Sequence, residues 1–132
     1  MFNHYKGIGH IAVYTADMDT SISFYEKIGG KLEKRDGVAT PEGEKKLALV
    51  AFGGFVVELI QAPTTMPMKE GNIPHFAVHV DDLDAAAAEI QAVGVNTFIG
   101  AEKKVLPNTF GGLQNWFFTG PSGEQIELLQ ML

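Results

Sequence analysis

The chain carries an internal duplication, and a duplicated sequence narrows the fold to two copies of one supersecondary module. His10-Ile11-Ala12-Val13-Tyr14-Thr15-Ala16-Asp17-Met18-Asp19 aligns with His75-Phe76-Ala77-Val78-His79-Val80-Asp81-Asp82-Leu83-Asp84 at a constant offset of 65. The offset continues through Ile22 and Ala87, Tyr25 and Ile90, and Gly29 and Gly94. Each copy ends on a second signature, Val57-Glu58-Leu59-Ile60-Gln61 in the first and Ile126-Glu127-Leu128-Leu129-Gln130 in the second. A histidine opens each copy and a glutamate closes it.

Local patterns outline the module. Residues 8–15 are apolar and β-branched, which predicts a strand, and Asp17 or Asp19 is a natural N-cap for the segment that follows. Met18, Ile22 and Tyr25 recur at helical spacing until Gly29-Gly30, which predicts a helix over 18–28. Leu32 to Lys46 is charged and contains a Pro41-Glu42-Gly43 turn; Leu47–Phe52 and Phe55–Ile60 then form a hairpin across Gly53-Gly54. The second copy repeats the plan with a strand at 75–80, a cap at Asp81 or Asp82 and a helix through Val93. A strand at 95–98, an irregular segment from Gly100 to Asn115, and strands at 116–119 and 125–130 complete it. The expectation is an α+β fold of two tandem βαβββ modules, residues 7–62 and 74–132, joined by a Pro-rich linker at 63–73 within one domain of 1–132.

Strand alternation places His10, Ala12 and Tyr14 on one face, and His75, Ala77 and His79 on its counterpart. Glu58 and Glu127 likewise sit in otherwise apolar faces, where an unpaired carboxylate costs several kcal/mol unless it is paired, protonated or bound to a cation. With no cysteine in the chain, any metal must be held by His and carboxylate. His75 and His79 have the spacing of a helical chelating pair, but on a strand they lie about 13 Å apart, too far for one ion. A net charge of −6 with a single arginine argues against a nucleic-acid partner, and no apolar run has the length of a membrane span, so a cytoplasmic location is expected. Asp17, Asp19, Asp82 and Asp84 are read as helix-start carboxylates. The segment from Lys103 to Asn115, with Asn108, is the candidate lid, and Trp116 the candidate aromatic wall of a pocket.

Taken together, Gly9-His10-Ile11-Ala12-Val13, Ser23-Phe24-Tyr25, Pro74-His75-Phe76-Ala77-Val78 and Gly120-Pro121-Ser122-Gly123-Glu124-Gln125-Ile126-Glu127-Leu128 resemble the vicinal oxygen chelate superfamily. This family comprises glyoxalase I, methylmalonyl-CoA epimerase, extradiol dioxygenases and the fosfomycin and bleomycin resistance proteins. The resemblance implies a curved-sheet, metal-binding cleft built from both modules. It is closest to the glyoxalase I branch, whose metal ligands fall at His10, Glu58, His75 and Glu127. It further implies a divalent metal (Ni, Co, Mn or Zn), a lyase or isomerase reaction through an enediolate, and catalytic roles for Glu127, as proton-transfer base, and for Glu58. Such small members generally dimerise, so a homodimer with shared sites is implied, with the modules pairing within a chain or between chains.

Tyr14 and Ala62 stand where glyoxalase I has two of its glutathione anchors, so the resemblance does not carry glutathione over. The substrate remains either a 2-oxoaldehyde thiol adduct or an acyl-CoA ester, the latter pointing to a methylmalonyl-CoA epimerase-like isomerase. A non-catalytic drug- or metabolite-binding module is the alternative from another class, and the complete ligand set weighs against it. Glu58 also weighs against dioxygenase and fosfomycin-transferase chemistry, which use three protein ligands. Tyr14, His79, Trp116 and Asn108 are the candidate substrate-pocket residues, with a structural hydrogen bond as the competing role for His79.

Overall fold

The computed structural model describes residues 3, 10–64 and 75–132. The chain divides into two compact units, Met1–Met66 and Pro67–Leu132. Residues 65–73 of the expected linker, and residues 8 and 9 of the first expected strand, lie outside the described residues.

The first unit runs β1 (Ile11–Tyr14), α1 (Met18–Lys27), β2 (Lys31–Thr40), β3 (Gly43–Phe52) and β4 (Phe55–Gln61). Its sheet has the order β1-β4-β3-β2, with β1 parallel to β4 and the other pairs antiparallel. The second unit repeats this as β5 (His75–His79), α2 (Leu83–Ala92), β6 (Lys104–Leu106), β7 (Leu113–Thr119) and β8 (Gln125–Met131), in the order β5-β8-β7-β6. Both units are thus βαβββ in an α+β architecture.

Each helix is started by the same two devices. Asp17 caps α1 by accepting the Thr20 amide at 3.0 Å, and Asp82 caps α2 by accepting the Ala85 amide at 3.0 Å. These amides would otherwise be orphan donors of the first turn. A further orphan is taken from the sheet: the Met18 amide donates to Gln61 Oε1 and the Leu83 amide to Gln130 Oε1, both at 2.7 Å. The glutamines that end the repeated signatures are therefore helix caps. At the other end Gly29 and Gly94 adopt φ of +104° and +91°, the left-handed conformation that stops a helix without a Cβ penalty. Gly30 follows so closely under the sheet that a Cβ would come within 2.7 Å of Val50 Cγ1 and 2.8 Å of the Tyr25 carbonyl.

The helices cover one face of each sheet. Met18, Ile22 and Tyr25 of α1 are buried with Ala48, Val50, Val57 and Leu59; Leu83, Ala87 and Ile90 of α2 are buried, as are Phe118, Ile126 and Leu128. Burying a side chain of this size contributes about 1.5–3 kcal/mol. The alternate residues of the same strands lie on the opposite face, and there the apolar side chains of the first unit, such as Leu47, Leu49 and Ile60, are only half-buried.

Several boundaries differ from those expected. The charged stretch around the Pro41-Glu42-Gly43 turn belongs to two long strands: β2 and β3 pair from Lys31 with Ala51 to Thr40 with Gly43, broken by a register shift between Leu32 and Lys34. Position 98 forms a single bridge to Phe118 rather than a strand over 95–98, and the edge strand of the second unit is β6. β7 begins at Leu113, so the stretch from Lys103 to Asn115 is largely a hydrogen-bonded hairpin with its turn at 107–112, not a long irregular lid. Among the described residues no helix is long and apolar enough to cross a membrane.

Candidate functional site

The exposed-side face of each sheet holds a His–Glu pair at the same register. Ala12 is opposite Glu58 on the parallel strands β1 and β4, and Ala77 is opposite Glu127 on β5 and β8. Directly paired residues share a face, so each glutamate points to the same side as the histidine two residues before its alanine partner. The side chains meet there: His10 Nε2 lies 3.3 Å from Glu58 Oε1, and His75 Nε2 lies 3.2 Å from Glu127 Oε1. Pairing lowers the cost of placing a carboxylate in an apolar sheet face.

The distances also suit a shared cation. Two donor atoms about 2.1 Å from one ion lie about 3.0 Å apart at a right angle and about 3.4 Å apart at the tetrahedral angle. The observed separations of 3.3 and 3.2 Å fall between these values. Imidazole nitrogen with carboxylate oxygen is a borderline-to-hard donor set suited to Ni, Co, Mn or Zn. Within either unit, and among the described residues, no third His, Asp or Glu joins the pair to complete a metal-holding group. Each unit on its own thus offers two donors.

The two pairs have unequal surroundings. Asn115 Nδ2 donates to Glu127 Oε2 at 2.7 Å in a buried hydrogen bond, and the Phe117 ring meets His75 edge-on with centroids 5.0 Å apart. Glu127 is accordingly held at both oxygens, and its side chain is 11% exposed. In the first unit the equivalent positions, read from the pairing of β3 with β4, are Leu47 and Leu49. Among the described residues Glu58 has His10 as its one polar partner, and its side chain is 20% exposed.

The other expected pocket residues fall in different places. Tyr14 and His79 end β1 and β5 on the His–Glu faces, exposed and pairing with Ile60 and Leu129. Trp116 does not stand beside a pair. It is opposite Leu128, on the helix side of the sheet, where its ring lies 4.6 Å from that of Phe98 and its indole N–H donates to the Ile99 carbonyl. The ring of that strand which does reach the site face is Phe117, one residue on. Asn108 is exposed in the β6–β7 turn, at the Met131 end of β8, about 13 Å along the strand from Glu127.

Asn115 is absent from the residues singled out in the sequence. The available signal was a polar amide directly before the aromatic run Trp116-Phe117-Phe118, two residues before the ring that faces His75.

Known proteins share both the sequence pattern and the fold. A model of the glyoxalase/bleomycin resistance protein/dioxygenase superfamily matches residues 7–128. The uncharacterized protein YwbC of Bacillus subtilis (strain 168) is 31% identical over 128 residues, covering 95% of this chain and 98% of that protein. A probable lactoylglutathione lyase of Vibrio parahaemolyticus is 31% identical over 126 residues, covering 92% and 88%. The crystal structure of a glyoxalase family protein from Enterococcus faecalis superposes with a TM-score of 0.73 at 23% identity, covering 95% and 98%, which is a likeness of fold. With this family match and two βαβββ units carrying His–Glu pairs at equal register, the chain belongs to the glyoxalase/bleomycin resistance protein/dioxygenase, or vicinal oxygen chelate, superfamily.

Proposed function

We propose that this protein is a metal-dependent lyase or isomerase of the glyoxalase I type, with His10, Glu58, His75 and Glu127 holding one divalent cation (Ni, Co, Mn or Zn). The observation that carries the reading is the repetition of one His–Glu pair, at 3.3 and 3.2 Å, in both units. Because each unit offers two donors, a four-ligand site requires two units, from one chain or from two copies. A homodimer with shared sites follows the second route. The reading is of a cytoplasmic enzyme acting on a small molecule, either a 2-oxoaldehyde thiol adduct or an acyl-CoA ester.

Bound there, the cation supplies a Lewis acid that stabilises negative charge building on two neighbouring substrate oxygens. The protein's part is proton transfer. A carboxylate oxygen of Glu127 takes the proton from the carbon next to the substrate carbonyl and returns it to the adjacent carbon; in an epimerisation Glu127 takes the proton and a second acid delivers one to the other side of the same carbon. No electrons leave the substrate in either case, so no external oxidant or reductant is needed. Glu58 is the group assigned to that second delivery. Phe117, packed edge-on against His75, keeps water from one side of the imidazole. Tyr14 and His79 lie on the site faces, where they would contact the part of the substrate that does not react.

The test joins metal analysis with one variant. Wild-type protein stripped and reloaded with Ni, Co, Mn or Zn is expected to hold about one ion per chain, and Glu127→Gln to lose turnover of hemithioacetals or acyl-CoA esters by at least about 100-fold while keeping its circular dichroism. Wild-type protein that binds no metal, or Glu127→Gln with full turnover, overturns the reading.

A further inference from the structure

The two halves of the duplicated site differ in a polar group that touches the glutamate assigned the proton. Asn115 sits on β7 opposite Leu129, and its amide donates to Glu127 Oε2 at 2.7 Å in a buried contact. Leu47, at the same register on β3 opposite Ile60, brings no donor to Glu58. We infer that Asn115 is a positioning residue: it fixes the rotation of the Glu127 carboxylate so that Oε1 alone is presented beside His75 Nε2, while the Glu58 carboxylate is left free to turn. This rests on the reading of Glu127 as ligand and proton carrier.

The physical case is one of geometry. A carboxylate on a strand can rotate about its last bond and exchange its two oxygens. Anchoring Oε2 at 2.7 Å removes that freedom and leaves Oε1 at 3.2 Å from the imidazole nitrogen. Asn115 is itself only 8% exposed, so water does not readily take over its hydrogen bond. Outer groups that hold a ligand in this way typically govern metal affinity or activity by about 10- to 100-fold. The inequality gives the two glutamates different work: Glu127 delivers an oxygen to a set position, and Glu58 adapts to what is bound.

Two substitutions separate this role from packing. Asn115→Leu fills the space, copies the residue at the equivalent place in the first unit, and excludes both the amide and any water. Asn115→Ala leaves room for a water that can donate to Oε2. A positioning role makes Leu the worse variant for metal binding; a packing role makes Ala the worse one, because it leaves a cavity. The measurement is Co2+ affinity by competition with a chelator, and the visible spectrum of the Co2+-loaded protein, each on samples whose circular dichroism matches wild type. Expected are a loss of affinity of about 10-fold or more for Asn115→Leu with an altered Co2+ spectrum, and a smaller loss for Asn115→Ala. If Asn115→Leu does not fold, a loss of less than about threefold in Asn115→Ala overturns the inference. Affinity within about twofold of wild type in Asn115→Leu, or the reverse order of the two variants, overturns it while leaving the metal-site reading standing. A wild-type protein that binds no Co2+ overturns both.

Discussion

Gln61 and Gln130 close the repeated signatures, and replacing them tests whether the signature is divided between helix start and site. In Gln61→Leu the Met18 amide, the first backbone donor of α1, loses its acceptor at 2.7 Å. In Gln130→Leu the same oxygen is lost to two donors, the Leu83 amide at 2.7 Å and Gln114 Nε2 at 2.8 Å. A neutral hydrogen bond contributes about 1 kcal/mol net, and a donor left partly buried without a partner costs somewhat more. Both sites are part-buried, so water recovers a share of the loss and the added leucine offsets a little by burial. The expected cost is about 1 kcal/mol for Gln61→Leu and about 2 kcal/mol for Gln130→Leu. Urea unfolding gives these directly, and each kcal/mol lowers Tm by roughly 3–5 °C in a chain of this size. Gln130→Glu, which keeps an acceptor oxygen, is expected to recover most of the loss. Metal affinity of the folded variants stays at the wild-type value, because Gln61 and Gln130 lie on the helix side of β4 and β8, opposite to Glu58 and Glu127. Equal stability of wild type and both leucine variants would refute the capping role. A loss of metal affinity in folded Gln130→Leu would refute the separation of the faces.

Three further outcomes follow from single contacts. The Thr20 backbone amide, chiefly, holds the Asp17 carboxyl below its ordinary value of 3.8, so its ionised form is favoured by folding. The stabilisation from Asp17 is therefore complete above pH 3.8 and lost as the pH falls through the lower folded value; Asp17→Ala is expected to be less stable than wild type near neutrality, with the difference in urea midpoint closing in acid. Trp116→Phe is expected to lower thermal stability through the lost bond to the Ile99 carbonyl while leaving metal affinity and turnover unchanged, whereas Phe117→Ala should weaken Co2+ binding a few-fold by freeing His75. Calorimetry and Co2+ titration check the pair, and the opposite assignment of effects would return Trp116 to the pocket.

Much of this architecture could be read from the chain because the informative strands each turn an apolar face to a helix. β1, β4, β5 and β8 are apolar on the helix side, so their alternation and the helices' spacing are plain, as is the 65-residue offset that ties Tyr25 to Ile90. β2 was hidden for the reason edge strands often are. It pairs on one side only, and Lys31, Lys34, Arg35 and Asp36 give it a charged surface that discourages further pairing and erases alternation. β6 is a three-residue edge strand, too short to show a period. Asn115 was obscured by a shift in the repeat: Tyr25 and Ile90 differ by 65, but Leu47 and Asn115 differ by 68, so the simple offset does not bring them together. Only the strand pairing does. Trp116 was misplaced by one residue of parity, which on a strand exchanges the two faces.

That same parity explains why Val57-Glu58-Leu59-Ile60-Gln61 and Ile126-Glu127-Leu128-Leu129-Gln130 form a coherent unit of sequence. On β4, Val57 and Leu59 are buried beneath α1 and Gln61 accepts from its first turn, while Glu58 meets His10 on the other side. On β8, Ile126, Leu128 and Gln130 serve α2, while Glu127 meets His75. A slip of one residue would turn a glutamate into the apolar core, turn two aliphatic side chains out of it, and take the cap from the helix. The register that seats the carboxylate beside the imidazole is therefore enforced by hydrophobic burial and by the helix cap, neither of which involves the chemistry. Site-face positions such as Leu47 and Asn115 lie outside that constraint, which leaves the two halves free to share a skeleton and yet hold their glutamates differently.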